Sequence, residues 1–525
     1  MASTSSTSLP GVAFVHFPDA QYTQRAALRA AQAALEPQGW RVVSPQDEED
    51  GDALRTAPKT EEEASAWIDR VMAGQLKTHD HVKRIALFMD YDLIPWDLVQ
   101  GRGYIAASST STASEPSLTC VPVSSSSYCI RKSLIRKNWL HNSVHAHSVK
   151  SSASPSPLTL LPRTWSIDLQ FADDLDELLI DELYDLAELL EQGQEERRRW
   201  FILKAAMADR GMGIRIFSSL DGLRRILEEF EEQDESEDEE EDEAAKSSSS
   251  SSAVALGQLR HFVIQEYISS PLLIAPPPST SSATPPLRKF HLRAYVICVG
   301  GLSVYLCDEM LALFAPRKYS LPPHDDDDDD AERDTTGCDI DTRVHLTNTC
   351  LHAQEGDEET GQGNVHLLSR LCDEDASCVL PPTASCSSSS SSTPPPRPLT
   401  SPDLAHIRQL AATTIGAVFS SAARGAGATG WQCWDQAWEV FGVDLLVGRD
   451  VEAAEGSDAW RMWLLEVNAQ PDFAQSGEEL QSVVEKALKR AVEVGVLRRE
   501  DEGWKVGQSR DGITLCHSEK MRGAW

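Results

Sequence analysis

The sequence predicts an α/β fold: a small N-terminal α/β domain followed by two larger mixed halves. Three observations predict it. Short apolar runs alternate with helical patterns over residues 11–89. Two apolar strand patterns, 440–447 and 463–471, carry acids in their middles. The patterned segments are separated by Ser-, Pro- and acid-rich stretches that lack the apolar content to fold.

The totals bound the class. A chain of 525 residues holds two to four domains. The net charge is −34, but Glu228 to Glu243 holds 13 acids and Asp325 to Asp330 six. Over half the net charge is therefore a property of two runs, not of a folded surface. Such a balance argues against a nucleic-acid binder. Eleven cysteines without a Cys-x-x-Cys pair suit a reducing compartment. No run approaches 18 apolar residues and no signal peptide is recognisable, so a soluble cytoplasmic protein without a membrane segment is expected.

In chain order, Gly11 to Phe17 reads as a strand, Gln24 to Leu35 as an alanine-rich helix, and Trp40 to Val43 as a strand. Glu61 to Met72 reads as a helix and Arg84 to Met89 as a strand. Ser108 to Ser127 reads as a linker. Tyr128 to Leu140 reads as one basic amphipathic helix, and Asp173 to Arg199 as one long helix with a leucine stripe. Phe201 to Lys204 is a strand followed by a Gly-x-Gly loop, which alone is an ordinary hairpin. Glu228 to Ser252 reads as an unfolded insert and His261 to Ile268 as a strand.

Arg288 to Val296 alternates so that Lys289, His291 and Arg293 share one strand face. Three cationic groups on one face call for an anion. Further inserts lie at about 275–286, 321–335 and 372–402. Ser401-Pro402 reads as a helix start, 478–496 as a closing helix, and 501–525 as an uninformative tail. Glu466 and Asn468 share a strand face, and Asp444 is a lone acid in an apolar strand. An unpaired buried carboxylate is costly, and Asp444, Glu466 and Asn468 together suit a hard cation such as Mg²⁺.

Phe441-Gly442-Val443-Asp444 and Leu464-Leu465-Glu466-Val467-Asn468 resemble the C-terminal signature of the tubulin-tyrosine ligase family, and the chain is similar to its fungal members. The resemblance implies an ATP-grasp fold, two α/β halves clamping ATP. It divides the chain into 1–127, 128–267, 268–500 and a tail, 501–525. By the same resemblance Lys132 matches the lysine of a basic helix that reaches phosphate. Lys204, with Arg210, Gly211 and Gly213, matches a lysine strand and phosphate-covering loop. Gln265, Glu266, Tyr267 and Ile268 match the adenine hinge. Lys289-Phe290-His291-Leu292-Arg293 resembles the Lys-Phe-Asp-x-Arg pattern, with His291 replacing the aspartate. His345-Leu346-Thr347-Asn348 resembles the nucleotide-contacting His-Leu-Thr-Asn motif. Leu313 lies where the usual ligases carry a phosphate-binding arginine, with Arg317 and Lys318 close by to compensate.

What this implies is an ATP-dependent carboxylate–amine ligase using ATP and Mg²⁺. Lys204 and Arg293 are the expected catalytic cations, and Asp444, Glu466 and Asn468 the metal ligands. The implied partners are an amino acid and a protein acceptor, tubulin or another protein. Altered residues at 291 and 313 leave open an acceptor other than tubulin, or a nucleotide-binding interaction protein without catalysis.

Overall fold

In a computed structural model, the described residues are 8–45, 57–101, 103–107, 118–152, 156–169, 171–192, 199–205, 213–240, 261–276, 286–322, 340–347, 364–373, 376–380, 395–450, 459–477, 480–498 and 503–520. The first unit has four parallel strands, β1 (Val12–His16), β2 (Arg41–Val43), β3 (Ile85–Met89) and β4 (Val123–Ser125), in the order β2-β1-β3-β4. Helices α1 (Gln21–Leu35) and α2 (Glu61–Thr78) cover it. The alanines of α1 let it lie close on the sheet, with Ala26, Ala27, Ala30 and Ala31 buried. Thr60 caps α2 by accepting from the Glu63 amide at 3.3 Å, and Glu61 to Glu63 complement the helix dipole. The expected linker 108–127 therefore needs correction: its end supplies β4, whose buried Val123 and Ser125 lie edge-on to β3.

Two more corrections follow. The basic segment 128–140 is not one helix. It is α3 (Lys132–Ile135) and α4 (Lys137–Lys150), broken at Arg136, whose backbone is extended. The leucine-rich segment is α5 (Asp174–Ile180) and α6 (Tyr184–Gln192), and the Leu183 amide folds back onto the Leu178 carbonyl at 2.7 Å. Both pieces bury their leucines in one cluster, so the stripe survives the break. Arg199 lies beyond a gap in the described residues and pairs with Glu266 rather than ending a helix.

The middle lobe is an antiparallel sheet, β7-β6-β8-β5, formed by β5 (Thr164–Asp168), β6 (Phe201–Ala205), β7 (Arg215–Phe217) and β8 (His261–Glu266). Helix α7 (Leu220–Glu240) packs on it through Leu223, Ile226, Leu227 and Phe230. The acidic run 228–240, expected to be unfolded, is thus the distal part of this helix; 241–260 lie outside the described residues.

The third unit is a large sheet. Strands β10 (Arg288–Val299) and β11 (Ser303–Phe314) form its centre, and β9 (Leu273–Ala275) pairs with the start of β10. Within the expected insert 372–402, β12 (Ser377–Val379) pairs with β9. On the other side of β10 lies β13 (Trp438–Arg449), then β14 (Trp460–Ala469). Helices α8 (Ser401–Ala426) and α9 (Gln481–Gly495) cover opposite faces. The cap of α8 is Thr400, one residue before the expected Ser401, in a reciprocal capping box with Asp403. The presumed tail contributes β15 (Ile513–Ser518), which pairs with β11. The acidic run 325–330 lies outside the described residues. Among those described, no helix is long and apolar enough to cross a membrane.

Helices α8 and α4 meet at Gly425, where an added Cβ would fall inside the Ser143 carbonyl. Gly425→Ala is expected to destabilise the chain by about 1–3 kcal/mol through this overpacking. Gly74→Ala, in α2 with open space around it, is expected to stabilise by about 0.5–1 kcal/mol. Chemical denaturation of the two variants measures the contrast.

Candidate nucleotide and metal site

The cleft lies between the middle lobe and the large sheet. Alternation along β10 turns Lys289 and His291 into it, and Ile202, Lys204 and Gln265 face them from the smaller sheet. The Lys204 ammonium donates to Gln265 Oε1 at 2.7 Å, and Gln265 donates in turn to Thr164 Oγ1 at 3.1 Å. Burial pulls the Lys204 ammonium down from the usual 10.5 to about 8, against the pull of Glu466. Lys289, 6 % exposed, stands 4.3 Å over the Tyr267 ring. Burial, with neighbouring Lys204, lowers it to about 7. Two ammonium groups lining one cleft, Lys289 buried and Lys204 half-buried, define a place for an anion.

The metal face is built by register. Asp444 on β13 pairs with Arg293 on β10 and with Glu466 on β14. Asn468 Nδ2 lies 3.4 Å from Glu466 Oε1 and 3.5 Å from Asp444 Oδ2. The expectation that Asp444 is unpaired needs correction. Arg293 holds it with Nε on Oδ1 at 2.5 Å and a second bond at 3.1 Å. Burial works against the Arg293 charge, but Asp444 more than restores it, so the guanidinium is held above its usual range. Arg293 thus serves Asp444 instead of lining the cleft. Gly442 makes room for it, since a Cβ there would come within 3.3 Å of Arg293 Cδ and 2.8 Å of Pro471.

Glu466 is kept ionised. Burial favours its neutral form, but Lys137, 3.3 Å away, and Lys204 hold the carboxyl well below the usual range. His291 Nδ1 bonds Thr347 Oγ1 at 2.5 Å, and its Nε2 faces Asp444 at 3.6 Å. Burial lowers the His291 imidazole, so its neutral form is favoured. His345, which sequence reasoning quoted without a role, bonds the Tyr267 hydroxyl at 3.0 Å and lines the cleft.

Most of the expected nucleotide residues converge here: Lys204, Gln265, Glu266, Tyr267, Ile268, Lys289, His291 and Thr347 all line the cleft. Gly213, at φ +68°, leads into the lining residue Ile214. Arg210, Gly211 and Asn348 lie outside the described residues. Lys132 does not reach the cleft; its ammonium sits 4.1 Å over the Trp139 ring. Lys137 takes that place, because the break at Arg136 turns a second helix start toward Glu466. Five residues separate them, and only the run of four basic residues over 131–137 pointed to the region. Leu313 is buried in an apolar cluster. Arg317 is exposed and paired with Asp341, and Lys318 is exposed, so neither replaces a cleft arginine.

The lowered lysine has a consequence for pH. Between about 7 and 10.5 the unfolded chain holds a proton that folded Lys289 does not, so it adds stability as pH rises through this window. A bound polyphosphate favours the charged form and reverses the shift. At pH 8 nucleotide binding is therefore expected to take up protons, and uptake should fade at pH 6. Calorimetry in buffers of different ionisation enthalpy measures it, and Lys289→Gln should reduce it.

Comparisons with known proteins agree with this geometry. The family model described as the tubulin-tyrosine ligase family matches residues 148–374 and 403–502. A probable tubulin–tyrosine ligase of Schizosaccharomyces pombe is 32% identical over 376 residues, which is 71% of this chain and 76% of that protein. The probable tubulin–tyrosine ligase PBY1 of Saccharomyces cerevisiae is 30% identical over 372 residues, 70% of this chain but 42% of that protein. The crystal structure of the C-terminal domain of K. lactis Pby1 superposes with a TM-score of 0.52 at 23% identity, covering 97% of this chain and 99% of that one. That domain is described as an ATP-grasp enzyme interacting with the mRNA decapping enzyme Dcp2, and the likeness establishes the ATP-grasp fold here. With the family model spanning more than half of its length, the chain belongs to the tubulin-tyrosine ligase family.

Proposed function

We propose that the chain is an ATP-dependent ligase that joins an amino acid to a protein carboxylate through an acyl-phosphate. One observation carries this reading: half-buried Lys204 and buried Lys289 share a single cleft with Glu466, whose carboxyl is held ionised, and with Asp444. The donor chemistry fits Mg²⁺. Asp444, Glu466 and Asn468 offer two carboxylates and an amide oxygen, with no thiol. Among the described residues no group of three or more His, Cys, Asp or Glu is placed to hold a metal ion by itself. Mg²⁺ held there supplies charge neutralisation on phosphate oxygens.

The chain's own residues divide the remaining work. The backbone of Gln265 to Ile268 borders the base, and Tyr267 and Ile268 wall it. Lys204 and Lys289 neutralise the phosphates as charge develops. Arg293 is a positioning residue that fixes Asp444. In the first step a carboxylate oxygen of the acceptor attacks the γ-phosphorus and ADP leaves. In the second, the amine nitrogen of the amino acid attacks the acyl carbon, phosphate leaves and the nitrogen loses a proton. No enzyme nucleophile is needed.

The family name points to tubulin as acceptor. His291 and Leu313, where the better-known ligases carry an aspartate and an arginine, favour another protein acceptor as the second reading. Titration calorimetry of ATP with Mg²⁺ tests the site. Glu466→Ala is expected to weaken binding by at least about tenfold, the loss of a charge-assisted contact of ~1.5–3 kcal/mol. ADP release that requires both an acceptor peptide and an amino acid tests the reaction. A folded protein that binds no Mg-ATP overturns the ligase reading, and one that binds it without turnover is a nucleotide-binding interaction protein.

A further inference from the structure

Helix α4 carries three histidines, His141, His145 and His147, and none of them lines the nucleotide cleft. The core face of the helix is Leu140, Ser143 and Val144. His147 belongs to that side: its amide lies against Gly425 of α8, and Arg424 and Glu519 act on its ring. His141 and His145 lie on a different face. With Lys137 they follow one another at four-residue steps, and residues so spaced are neighbours on a helix surface. Lys137 turns to Glu466, 3.3 Å away, which leaves the two imidazoles side by side. Their ring centroids are 6.1 Å apart and their planes 22° from parallel.

The pair is suited to ligation and poorly suited to charge. Burial pulls the His141 imidazole down to about 4, and His145 beside it adds to the fall. A neutral imidazole keeps the lone pair that a metal takes. His141 Nδ1 is enclosed by protein without a hydrogen-bond partner, so Nε2 is the edge left for a ligand. His145 is exposed and His141 half-buried, so an ion can reach both. The helix holds no acid and no cysteine, and the donors are therefore nitrogen alone. Imidazole donors suit zinc, nickel and copper, whereas Mg²⁺ and Ca²⁺ want oxygen.

We propose that His141 and His145 form a chelating site for a borderline divalent transition-metal ion, Zn²⁺, Ni²⁺ or Cu²⁺, separate from the Mg²⁺ ligands of the cleft. Two histidines four apart on one helix face are the arrangement by which zinc-binding helices present two ligands. Side-chain rotation brings one nitrogen of each ring to about 2.0–2.1 Å from a shared ion. Among the described residues no third His, Cys, Asp or Glu joins them, so water fills the other positions and the ion is exchangeable. Asn142 follows His141 where hydrolytic zinc helices carry a glutamate base, so the site binds without a hydrolytic step. Helix α4 starts at extended Arg136 without a side-chain cap or an acid in its first turn. A chelate across its next turns steadies the helix that sets Lys137 against Glu466. Occupancy of the site does not rest on the ligase reading.

The test is calorimetric titration of Ni²⁺ and Zn²⁺ into the full chain at neutral pH, with Mg²⁺ in excess to occupy the cleft carboxylates. Saturable binding is expected, and His145→Ala and His141→Gln should each weaken it at least about tenfold. Glu466→Ala should leave it unchanged. Ni²⁺ should raise the melting temperature of the parent chain and not that of His145→Ala, because a ligand stabilises only a fold that binds it. His145→Ala removes an exposed ring and should keep the metal-free melting temperature and Mg-ATP binding of the parent. Absence of Ni²⁺ and Zn²⁺ binding in the folded chain overturns the proposal. So does binding that survives both histidine variants, which places the ion elsewhere, and so does a loss confined to His141→Gln, since chelation needs both rings.

Discussion

The pair between Arg293 and Asp444 lies across neighbouring strands in the interior of the large sheet, and the cleft is arranged around it. Asp444 and Glu466 are register partners, so without a cation two carboxylates would adjoin with little water. One would then be driven to hold a proton. Arg293 removes that conflict by holding both Asp444 oxygens, which also lie near His291 and Asn468. Deleting one partner of such a buried pair strands the other at a cost of about 3–5 kcal/mol. Gly442 belongs to the same device, because any larger residue would press on Arg293.

With Asp444 satisfied, the cleft has a local excess of positive charge. Lys137 and Lys204 both act on Glu466, and Lys289 is buried against the Tyr267 ring with Lys204 as a like-charged neighbour. The two lobes contribute opposite halves of this arrangement: Lys204 and Gln265 from the small sheet, Lys289 and the acids from the large one. Burial does most to lower Lys289, and repulsion from Lys204 across the gap adds to it. A polyphosphate placed between these groups would relieve that repulsion for both lobes at once.

Period-2 alternation made β10, β13 and β14 legible, and with them Lys289, His291, Asp444, Glu466 and Asn468. What alternation does not carry is the partner across the sheet. Asp444 looked orphaned because Arg293 lies 151 residues earlier. The exchange of Lys132 for Lys137 has a similar origin. The break at Arg136 leaves no proline or glycine in the sequence, and the residues on both sides keep helical spacing. Strands β4 and β15 were missed for the opposite reason. They are short, polar on one side, and become strands only because β3 and β11 offer free edges. The two-helix form of 174–192 shows the same limit, since a leucine stripe reads alike with or without a turn at Asp181.

Strand β13 connects these regions in one element. Ala437, just before it, bridges to Ser125 of β4, so the N-terminal sheet is hydrogen-bonded to the strand's start. Glu439 accepts from the Tyr128 amide at 3.0 Å and pairs with Arg131 at 2.7 Å, and Arg131 in turn lies 3.9 Å over the Tyr91 ring. Five residues on, Asp444 faces the cleft; at Val447 the strand receives the Leu272 amide, next to the hinge segment. The strand is buried along nearly all of its length, so a shift at one end has no slack in which to dissipate. The four-stranded parallel sheet is therefore joined by hydrogen bonds to the start of the strand that carries Asp444.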